Sequence, residues 1–576
     1  MLDLSRTPFS RRGSYMALVD WHRDLPYAHM LASQNGEGLY LKSVRNRARA
    51  ASAIMKFTPL VGNEKASYDV SYDFHELRIL GDGFEIKTCF ANDDCLLMHC
   101  EGSSLSLVMD FLPVCDWDYA FELPDSSGSR YLVVNSYKSQ TKYFVSSTAS
   151  INLRQEVLEN RRGATSSTAS IVGDSFDICI QDVPTHLSEV FHPNHPYGYY
   201  ADCAQEEFQL YLAQFPEAPA RYKVAFDEAV YTTWSATVRP SGILKRDATW
   251  MSNTVFPGVW SWDHCFNTAG LMTADPDLAW DNMAVMFDYQ DELGQLPGSA
   301  NDSNMHWNFA KPPIQGLFAG KMLDRMELSE NRLNQLYRWI DKQVAYWFGC
   351  HDCNDDGVPE YHHGNDSGHD NSTVFDQAFA IDSPDLLAFL ICALETLGRI
   401  DTKLGRDARR VLELKGLCIN RFVDHFVVDG RIVARDTLTQ EVVECRSILP
   451  LMSIVAGKYL PKTVVSDTIE RLKARFLTDV GIATEEIDSP CYESDGYWRG
   501  PVWAPEMVIL IDALNDLGEH EFVKNLVKRF VDVMTRSGFA ENFDAITGAP
   551  LKDPAHTWTS SSYLYLVEVY HDYLES

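Results

Sequence analysis

The spacing of apolar residues changes once along the chain, near residue 216, and this change limits the fold more than any other feature. Between about residues 70 and 215, short segments alternate apolar and polar side chains, as in 83–90, 130–134 and 176–180. Clusters of Asn, Asp, Ser and Gly, which favour turns, separate them. Alternation with a period of two is typical of strands with one buried face. Regularly spaced short strands predict an antiparallel β-sandwich over residues 1–215.

A helical period follows 216–219, a segment with two prolines. After Ser329, apolar side chains recur on one helical face at Leu333, Leu336 and Ile340. We count roughly twelve helical segments up to the C-terminus. Paired in a closed ring they would form an (α/α)6 toroid, although the count alone also fits an α-solenoid. Since 576 residues exceed one compact core, we predict a multidomain chain, with a linker or helix at 216–235 and an (α/α)6 catalytic domain at 236–576.

The chain is strongly acidic. It has 50 Lys and Arg against 81 Asp and Glu, which gives a formal net charge of −31. Such a surface repels nucleic acid and anionic membranes, so we expect neither as a partner. No segment reaches the ~18 apolar residues of a membrane span, and no secretory signal is evident. Thirteen cysteines without framework spacing fit reduced thiols, so we expect a cytoplasmic protein. The oligomeric state stays open.

Several tryptophans of the helical half lie in polar loops. The segments 259–264 and 497–503 hold two each, and Trp307 lies in another polar stretch. Flat aromatic faces flanked by Asp, Asn, Arg and Gln suit sugars, whose rings present C–H faces and hydroxyl groups. Trp280, Trp339 and Trp347 fall on helical patterns, where we expect core packing. The candidate sugar-binding tryptophans are Trp260, Trp262, Trp307, Trp498 and Trp503.

Two polar loops carry carboxylates. The segment 361–372 is rich in Gly, Asn, Asp and Ser, and it holds Asp366 and Asp370. A second loop, 539–544, holds Glu541 and Asp544. Loops on a rigid helical scaffold are frequent positions for acid–base residues. Together the two loops indicate an enzyme with paired carboxylates.

At this point the chain resembles glycoside hydrolase family 63, a family of α-glucosidases and related enzymes. The resemblance rests on segments in the family's order, namely 251–253, 260–264, 363–372, 497–503, and 541–543 with 547–548. These segments extend over most of residues 235–565, while the N-terminal half carries no comparable motif. Members combine an N-terminal β-sandwich with an (α/α)6 catalytic domain, which agrees with the two periods described above.

The resemblance implies roles for individual residues. Asp370 takes the general-acid position of the family's Gly-x-Asp-Asn-Ser segment, and Glu541 takes the general-base position. The family inverts configuration, so the two carboxyl groups should lie ~6.5–9.5 Å apart with a water between them. Asp370 must then hold a proton, which we expect burial or a neighbouring carboxylate such as Asp366 to favour. Further candidate substrate-binding residues are Asp263, Gln290, Gly368, Asn371 and Arg499.

A third segment, 352–360, has oxygen-bearing residues at alternating positions and a glycine turn. This pattern resembles a calcium loop, although the spacing to Glu360 is shorter than in an EF-hand. A solvated acidic turn is the alternative. A calcium ion here would be structural, and no cofactor is expected for catalysis. The candidate ligands are Asp352, Asn354, Asp356, Val358 and Glu360.

The sequence thus predicts an inverting, exo-acting α-glycosidase, with an α-glucosidase acting on a small α-glucoside or oligosaccharide as the first choice. Three alternatives stay open: a sugar epimerase or isomerase on the same toroid, a glycoside phosphorylase, and a carbohydrate-binding protein without catalysis. The expected partner is a small glycoside substrate. Neither the sugar, the linkage nor the aglycone follows from the sequence.

Overall fold

The structure is a computed structural model that describes residues 2–21, 36–46, 53–125, 128–157, 165–184 and 190–575. By contacts, the chain forms two compact units. The first comprises Met1–Phe215, Val230–Gly258 and Asn301–Asn304, and the second Pro216–Ala229, Val259–Ala300 and Met305–Ser576. The first unit therefore includes segments beyond residue 215, the predicted end of the first domain.

The first unit is an antiparallel β-sheet structure followed by α1 (Tyr197–Leu212). In its described residues, thirteen strands are connected in one sheet, and β14 and β15 form a separate pair. The strands are β1 (Met16–Trp21), β2 (Gly38–Ser43), β3 (Ala53–Val61), β4 (Glu64–Lys65), β5 (Tyr68–Tyr72), β6 (Leu77–Gly81), β7 (Phe84–Asn92), β8 (Cys95–Phe111), β9 (Tyr119–Pro124), β10 (Arg130–Ser136), β11 (Thr141–Ser147), β12 (Ile151–Val157), β13 (Thr165–Val183), β14 (Thr237–Val238) and β15 (Ala248–Thr249).

Two long strands, β8 and β13, organise this sheet. They pair with each other along their length, with a change of register between Gly173 and Ser175. One part of β8 pairs with β7 and the other with β3, while β13 pairs with β12 and then with β11. Each long strand thus serves two sets of neighbours. Alternate side chains such as Phe84 and Ile86 are buried, as the period-two pattern predicts.

Buried polar contacts hold the later segments to the strands of the first unit. The guanidinium of Arg45 donates to Asp182 at 2.7 Å and lies 3.6 Å from Asp302. The Lys42 ammonium donates to the carbonyl of Asn253 at 2.6 Å. Charged groups this deeply buried are stabilised by such partners. These contacts explain why residues 230–258 and 301–304 belong to the first unit.

The second unit is helical. The helix α2 (Lys223–Ser235) begins in it and ends within the first unit. The other helices are α3 (Asp263–Leu271), α4 (Pro276–Ala284), α5 (Gln315–Arg325), α6 (Glu330–Cys350), α7 (Gly364–Ser367), α8 (Pro384–Lys403), α9 (Arg409–Phe426), α10 (Lys462–Arg471), α11 (Ala504–Asp516), α12 (His520–Ser537), α13 (Thr557–Val569) and α14 (His571–Glu575). The 3-10 helices are Phe287–Tyr289, Thr373–Asp376 and Leu449–Tyr459, and a π-helix at Leu472–Phe476 continues α10.

Short strands lie in the loops between these helices. They are β16 (Val259–Trp260), β17 (Ser299–Ala300), β18 (Met305–His306), β19 (Ile381–Asp382), β20 (Val427–Val428), β21 (Arg431–Ile432), β22 (Ala434–Asp436), β23 (Val442–Val443), β24 (Asn542–Phe543) and β25 (Pro550–Leu551). They pair locally as two- and three-stranded antiparallel sheets. The loops that contain them are therefore held by backbone hydrogen bonds.

Six helical segments form a closed inner ring. The segments pack in the order α3, α5, α8, Leu449–Tyr459, α11, α13 and back to α3. Their side chains are buried on almost every face of the helix. In α13, for example, all residues from Thr557 to Val567 are buried, as is typical of a helix inside a protein. Closure distinguishes an (α/α)6 toroid from an open solenoid. The predicted fold class is confirmed.

The outer helices return the chain between consecutive inner helices, with α6 packed on α5 and α8, and α12 on α11 and α13. The six inner segments therefore run in the same direction. Ser329 caps α6 by accepting from the Arg332 N–H at 3.3 Å, as expected for its position. The loops that precede the inner helices meet at one end of the ring. No described helix is both long and apolar enough to span a bilayer.

Candidate active site

The carboxylate-bearing residues singled out in the sequence come from loops at this end of the ring. Asp263 is the first residue of α3, Asp370 lies before α8, and Glu541 lies before α13. Burial and the negative charges of Glu541, Asp370 and Asp263 all raise the pKa of the Tyr497 phenol. Charges act in this way only over short distances. The toroid thus gathers three carboxyl groups around one phenol.

The loop that carries Asp370 is held by a glycine in the left-handed region. Gly368 has a φ of 80° and ends the short helix α7, a backbone conformation that glycine adopts without strain. A Cβ at this position would lie 2.7 Å from the Trp262 ring. We expected Gly368 to contact the substrate, and the structure shows the indole of Trp262 against it. The close packing of indole and glycine holds Trp262 against the loop that carries Asp370.

Asp370 is paired with Lys311, which the sequence analysis did not identify. The Lys311 ammonium lies 3.0 Å from Asp370 Oδ1 and also donates to the carbonyl of Asn365 at 2.7 Å. The Lys311 side chain is 4% exposed, while that of Asp370 is 38% exposed. An ammonium group at this distance stabilises the charged form of a carboxylate. Asp370 therefore lacks the burial that we expected, while Asp263 is a carboxylate close enough for the charge of Asp370 to raise its pKa.

Asp366, the expected neighbour, has a different partner. Its carboxylate accepts from the Ala310 N–H at 3.0 Å. Asp366 thereby holds the backbone next to Lys311, so that it supports the lysine and does not contact Asp370 directly.

Glu541 lies in a buried and more apolar place. Its N–H donates to the carbonyl of Asp553 at 2.7 Å, and its carboxyl group accepts from the Tyr497 hydroxyl at 3.0 Å. Burial, together with the charges of Asp553 and Asp263, raises the pKa of Glu541 to about 8. Its carboxyl group is thus held close to the pH at which a general base operates.

Asp263 is also buried, and its Oδ2 atom has no hydrogen-bond partner in the described part of the chain. Burial raises its pKa to about 7, while the Lys311 charge opposes this shift and the charges of Asp370 and Glu506 add to it. A buried carboxyl oxygen without a partner is costly. The hydroxyl group of a ligand is the kind of partner that would relieve this cost.

Aromatic rings form a buried wall of the site. Trp498 and Trp503 are 1% and 0% exposed, which is distinct from the open sugar-binding faces that we expected. Trp498 and Trp503 stack in parallel at 3.8 Å, and His369 stacks on the other side of Trp498 at 4.3 Å. The His369 ring lies 2.9 Å from the buried carboxylate of Glu506 on α11. The ring of Trp262 is 6.0 Å from that of Trp498. The predicted tryptophans Trp262, Trp498 and Trp503 are therefore brought together, and His369 and Glu506 support them.

Asn371 and Arg499 join the loop 361–372, which carries Asp370, to the loop 497–503, which carries Trp498 and Trp503. The Asn371 side chain accepts from the Trp498 N–H at 2.9 Å and donates to the Gly496 carbonyl at 3.0 Å. Arg499 donates to the Asn371 carbonyl at 2.7 Å and pairs with Asp376. In the structure both side chains connect protein segments, which is distinct from the sugar contact that we expected.

Three other predicted substrate-binding residues have different surroundings. The Gln290 amide donates to the carbonyls of Gly294 and Trp339, at 3.1 and 3.0 Å. Trp260 is half-buried in β16, and the Trp307 side chain is 37% exposed. Gln290 thus fastens its own turn to α6, while Trp260 and Trp307 present surface near the loops of the mouth.

The predicted calcium loop is closed by its own hydrogen bonds. The Asp352 carboxylate accepts from the Gly357 N–H at 2.9 Å. The Glu360 carboxylate is fully buried, where it accepts from the Cys353 N–H and lies 2.8 Å from the His362 ring. Calcium requires several oxygen ligands that converge on one point. Here the Asp352 and Glu360 carboxylates accept from two different backbone N–H groups, those of Gly357 and Cys353.

The remaining candidates lie around Asp356, which accepts from the Asn354 side chain at 2.9 Å and from the Val358 N–H at 2.8 Å. Among the described acidic, cysteine and histidine side chains, the group close enough to share an ion is Asp356, Asp382 and His425. It contains only one member of the predicted set. Calcium in the 352–360 loop stays a prediction, and no catalytic step depends on it.

The site therefore offers an exposed carboxylate beside an ammonium group, a buried carboxyl group with a high pKa, and an aromatic wall. Such groups are typical of sites that carry out acid–base catalysis on a ring-shaped, hydroxylated substrate. A family model described as the mannosylglycerate hydrolase MGH1-like glycoside hydrolase domain matches residues 256–559, more than half of the chain. The chain belongs to this family. The predicted resemblance to glycoside hydrolase family 63 and the predicted enzyme class, a glycoside hydrolase, are confirmed.

Individual relatives are distant. The chain is 20% identical to the mannosylglycerate hydrolases MGH2 and MGH1 of Selaginella moellendorffii over 392 residues, which are 53% of this chain and 79% of each relative. The solved structure of the GH63 mannosylglycerate hydrolase from Thermus thermophilus in complex with Tris and D-glycerate matches with a TM-score of 0.54 at 17% identity, over 59% of this chain and 99% of that one.

A bacterial glucoamylase complexed with acarbose matches with a TM-score of 0.59 at 11% identity, over 99% of this chain and 95% of that one. At this identity the likeness concerns the fold. It extends over both the β-sheet unit and the helical unit.

Proposed function

We propose that the protein is an inverting, exo-acting α-glycosidase that hydrolyses a small α-hexoside. The observation that carries this proposal is the gathering of Asp370, Glu541 and Asp263 around the Tyr497 phenol, beside an aromatic wall. The sequence prediction of an α-glucoside is retained as one substrate. Because the relatives are named mannosylglycerate hydrolases, α-mannosides with a small acidic aglycone form the second.

In this proposal Asp370 is the general acid, and its proton passes to the glycosidic oxygen as the bond to the anomeric carbon breaks. Glu541 takes a proton from the water that attacks the anomeric carbon from the opposite face. The products are a free hexose of inverted anomeric configuration and the aglycone alcohol. A later exchange of protons with solvent restores both carboxyl groups.

Lys311 contributes through charge. As Asp370 gives up its proton it becomes an anion, and the ammonium 3.0 Å away stabilises that anion in the transition state. The three N–H groups of this ammonium are used by Asn365 and Asp370, so its role concerns Asp370 and not direct contact with the aglycone.

Glu541 contributes through its high pKa. Burial disfavours its charged form, so that, once ionised, it binds a proton strongly and is an effective base. The negative charges of Glu541 and Asp263 also favour the cationic character that develops on the sugar ring. Asp263, with one oxygen free of protein partners in the described part of the chain, is suited to hold the hydroxyl groups of that sugar.

The decisive experiment is a screen of α-glucosides and α-mannosides with glycerate, glycerol and hexose aglycones. Proton NMR would identify the first anomer released. We expect the β-anomer first, and prompt release of the α-anomer would refute inversion. A strict requirement for inorganic phosphate would identify a phosphorylase instead.

Substitutions test the two roles. Asp370→Asn and Glu541→Gln should each reduce kcat by at least about 10³-fold, because each removes one proton-transfer group and the preorganised charge that it supplies. The matched control is Asp495→Asn, an exposed carboxylate in the loop that carries Tyr497. Full activity in either active-site variant would exclude the role assigned to that residue.

A further inference from the structure

A second cavity lies at the other end of the inner ring. Its volume is about 340 Å³, and it is lined mostly by residues from the C-terminal halves of α5, α8, Leu449–Tyr459, α11 and α13. The proposed catalytic residues lie at or before the N-terminal ends of the inner segments. Because these segments run in the same direction, the cavity and the catalytic mouth are at opposite ends of the ring. Five of the six inner segments contribute to its wall.

The most fully bonded polar group of the cavity wall is the Asp512 carboxylate. It accepts from the hydroxyls of Tyr565 and Tyr570, at 2.8 and 2.6 Å, and it forms an ion pair with the buried ammonium of Lys321. A carboxylate offers about four acceptor positions, and three donors use this one: Lys321 from α5, Tyr565 from α13 and Tyr570 just after α13. These donors fix the carboxylate in place, so this part of the wall is preorganised.

The other cations of the wall are also paired. Arg399 pairs with Asp324, and Arg325 pairs with Glu568. Glu395 accepts from the Tyr459 hydroxyl at 2.6 Å and lies 3.9 Å from the Lys458 ammonium. The C-terminal ends of helices carry partial negative charge, and cations near them compensate for it. The basic residues therefore have a structural reason to be there without an anionic ligand.

These pairs argue against a charged ligand. A ligand anion would compete with carboxylates already in position, and a ligand cation would approach four basic side chains. A ligand anion would find every cation described in the wall already paired, and a ligand cation would find only Asp516, on which the charges of Lys321 and Lys458 already act. Either ligand would lose its own hydration for little gain in return. A neutral ligand avoids that cost.

Some hydrogen-bonding capacity of the wall is not used in ion pairs. Asp516, at the C-terminal end of α11, lines the cavity and forms no ion pair with any residue that the structure describes. The side-chain amide of Asn515 lines the cavity as well. A carboxylate that accepts and an amide that both donates and accepts fit a molecule whose groups also do both.

We infer that this cavity binds a neutral polyhydroxy compound of monosaccharide size. Hydroxyl groups donate and accept at once, so they match a wall of paired charges, tyrosine hydroxyls and the Asn515 side-chain amide. The volume falls in the range of small-molecule sites. The ligand could be a free hexose or an open-chain polyol, which share this chemistry. This second site does not depend on the proposed catalytic function.

Amide hydrogen–deuterium exchange, read peptide by peptide by mass spectrometry, tests the inference on the intact chain. The neutral probes are D-glucose, D-mannose and sorbitol, and the charged probes of similar size are gluconate and glucosamine. We expect a neutral probe to slow exchange about twofold or more in peptides covering 320–325 and 511–517. Protection by glucose or mannose but not sorbitol would assign a sugar ring, and the reverse an open-chain polyol.

Filling the cavity provides the matched variants. Ala513 lines it, so Ala513→Val and Ala513→Leu should weaken this protection progressively as side-chain volume grows. The control is Ala474→Leu at an exposed position of the π-helix, which should retain it. Peptides from 366–372 and 539–544 report sugar bound in the catalytic mouth separately.

Three outcomes would overturn the inference. One is the absence of protection by every neutral probe in the wild-type chain. Another is equal protection in Ala513→Leu, with folding checked by circular dichroism. A third is equal or stronger protection by gluconate or glucosamine, which would show that the ligand class is wrong.

Discussion

The hydrogen bond from Tyr497 to Glu541 should set the pH range in which the enzyme works. The phenol donates to Glu541 Oε1 at 3.0 Å and stabilises the ionised carboxylate. Burial raises the pKa of Glu541 to about 8, and this hydrogen bond opposes that rise. Tyr497→Phe removes the donor and leaves the ring. The pKa of Glu541 should then rise further.

The size of the shift follows from the energy of such a bond. A hydrogen bond to a charged group contributes about 1.5–3 kcal/mol, and one pKa unit corresponds to about 1.4 kcal/mol. Removing the bond should therefore raise the pKa of Glu541 by about 1–2 units. A general base must be ionised to act, so the acidic limb of kcat/KM should move to higher pH by the same amount.

The assay is kcat/KM from about pH 5 to pH 10, with the best substrate of the glycoside screen. The matched control is Tyr492→Phe, which removes a buried hydroxyl that has no hydrogen-bond partner among the described residues. It should leave the acidic limb where it is. An unmoved limb in Tyr497→Phe, or a limb moved to lower pH, would refute the assignment of Glu541 as the base.

Three further predictions concern stability and charge. The raised pKa of Glu541, about 8, means that its ionisation costs folding stability as the pH rises from about 5 to 8. The free energy of unfolding of Glu541→Gln should therefore rise by up to about 5 kcal/mol relative to that of the wild type between pH 5 and pH 9. Chemical denaturation at pH 5 and at pH 9 measures this, and an equal difference between variant and wild type at the two pH values would contradict it. Lys311→Met should lower kcat by about 10–100-fold, because Asp370 loses the ammonium 3.0 Å away; unchanged kcat would exclude this role. Gly368→Ala should cost about 1–3 kcal/mol in urea denaturation, since its Cβ would meet Trp262 at 2.7 Å.

The division into strands and helices could be predicted from the sequence, because burial of one face imposes a period of two on a strand and of 3.6 on a helix. The structure brings the loop tryptophans Trp262, Trp498 and Trp503 together, with all three side chains buried. Their contact with a sugar stays a prediction. Of the three carboxylates of the mouth, Asp263 begins an inner helix, while Asp370 and Glu541 lie in the loops that lead to α8 and α13. A ring of helix pairs brings such positions together.

Lys311 could not be recognised in the same way. It is one of 50 basic residues, and its segment, 310–313, shows only a lysine followed by two prolines. Its importance comes from the fold, which places an ammonium 59 positions before Asp370 in the chain within 3.0 Å of it. The pairing of His369 with Glu506 was missed for the same reason. Contacts between loops that are distant in the chain depend on how the ring closes, and a single sequence does not show which loops become neighbours.

The calcium prediction depended on the order of oxygen-bearing residues alone. That order does not determine where the side chains turn. In the structure, backbone N–H groups of the loop occupy the carboxylates of Asp352 and Glu360. Polar loops often satisfy their own backbone in this way, and a calcium loop and a self-capped turn can then share one sequence pattern.

The interleaving of the two compact units along the chain affects synthesis. The first unit needs Asn301–Asn304, so it is incomplete until the ribosome has added more than half of the 576 residues. Until then Arg45, on the turn after β2, lacks the charge of Asp302, which lies 3.6 Å away in the finished protein. Domains usually fold one after another as they emerge. Here the first unit is completed only after segments of the second unit have been made, although its thirteen-stranded sheet lies within residues 16–183. A cut at any single point would leave part of one unit attached to the other.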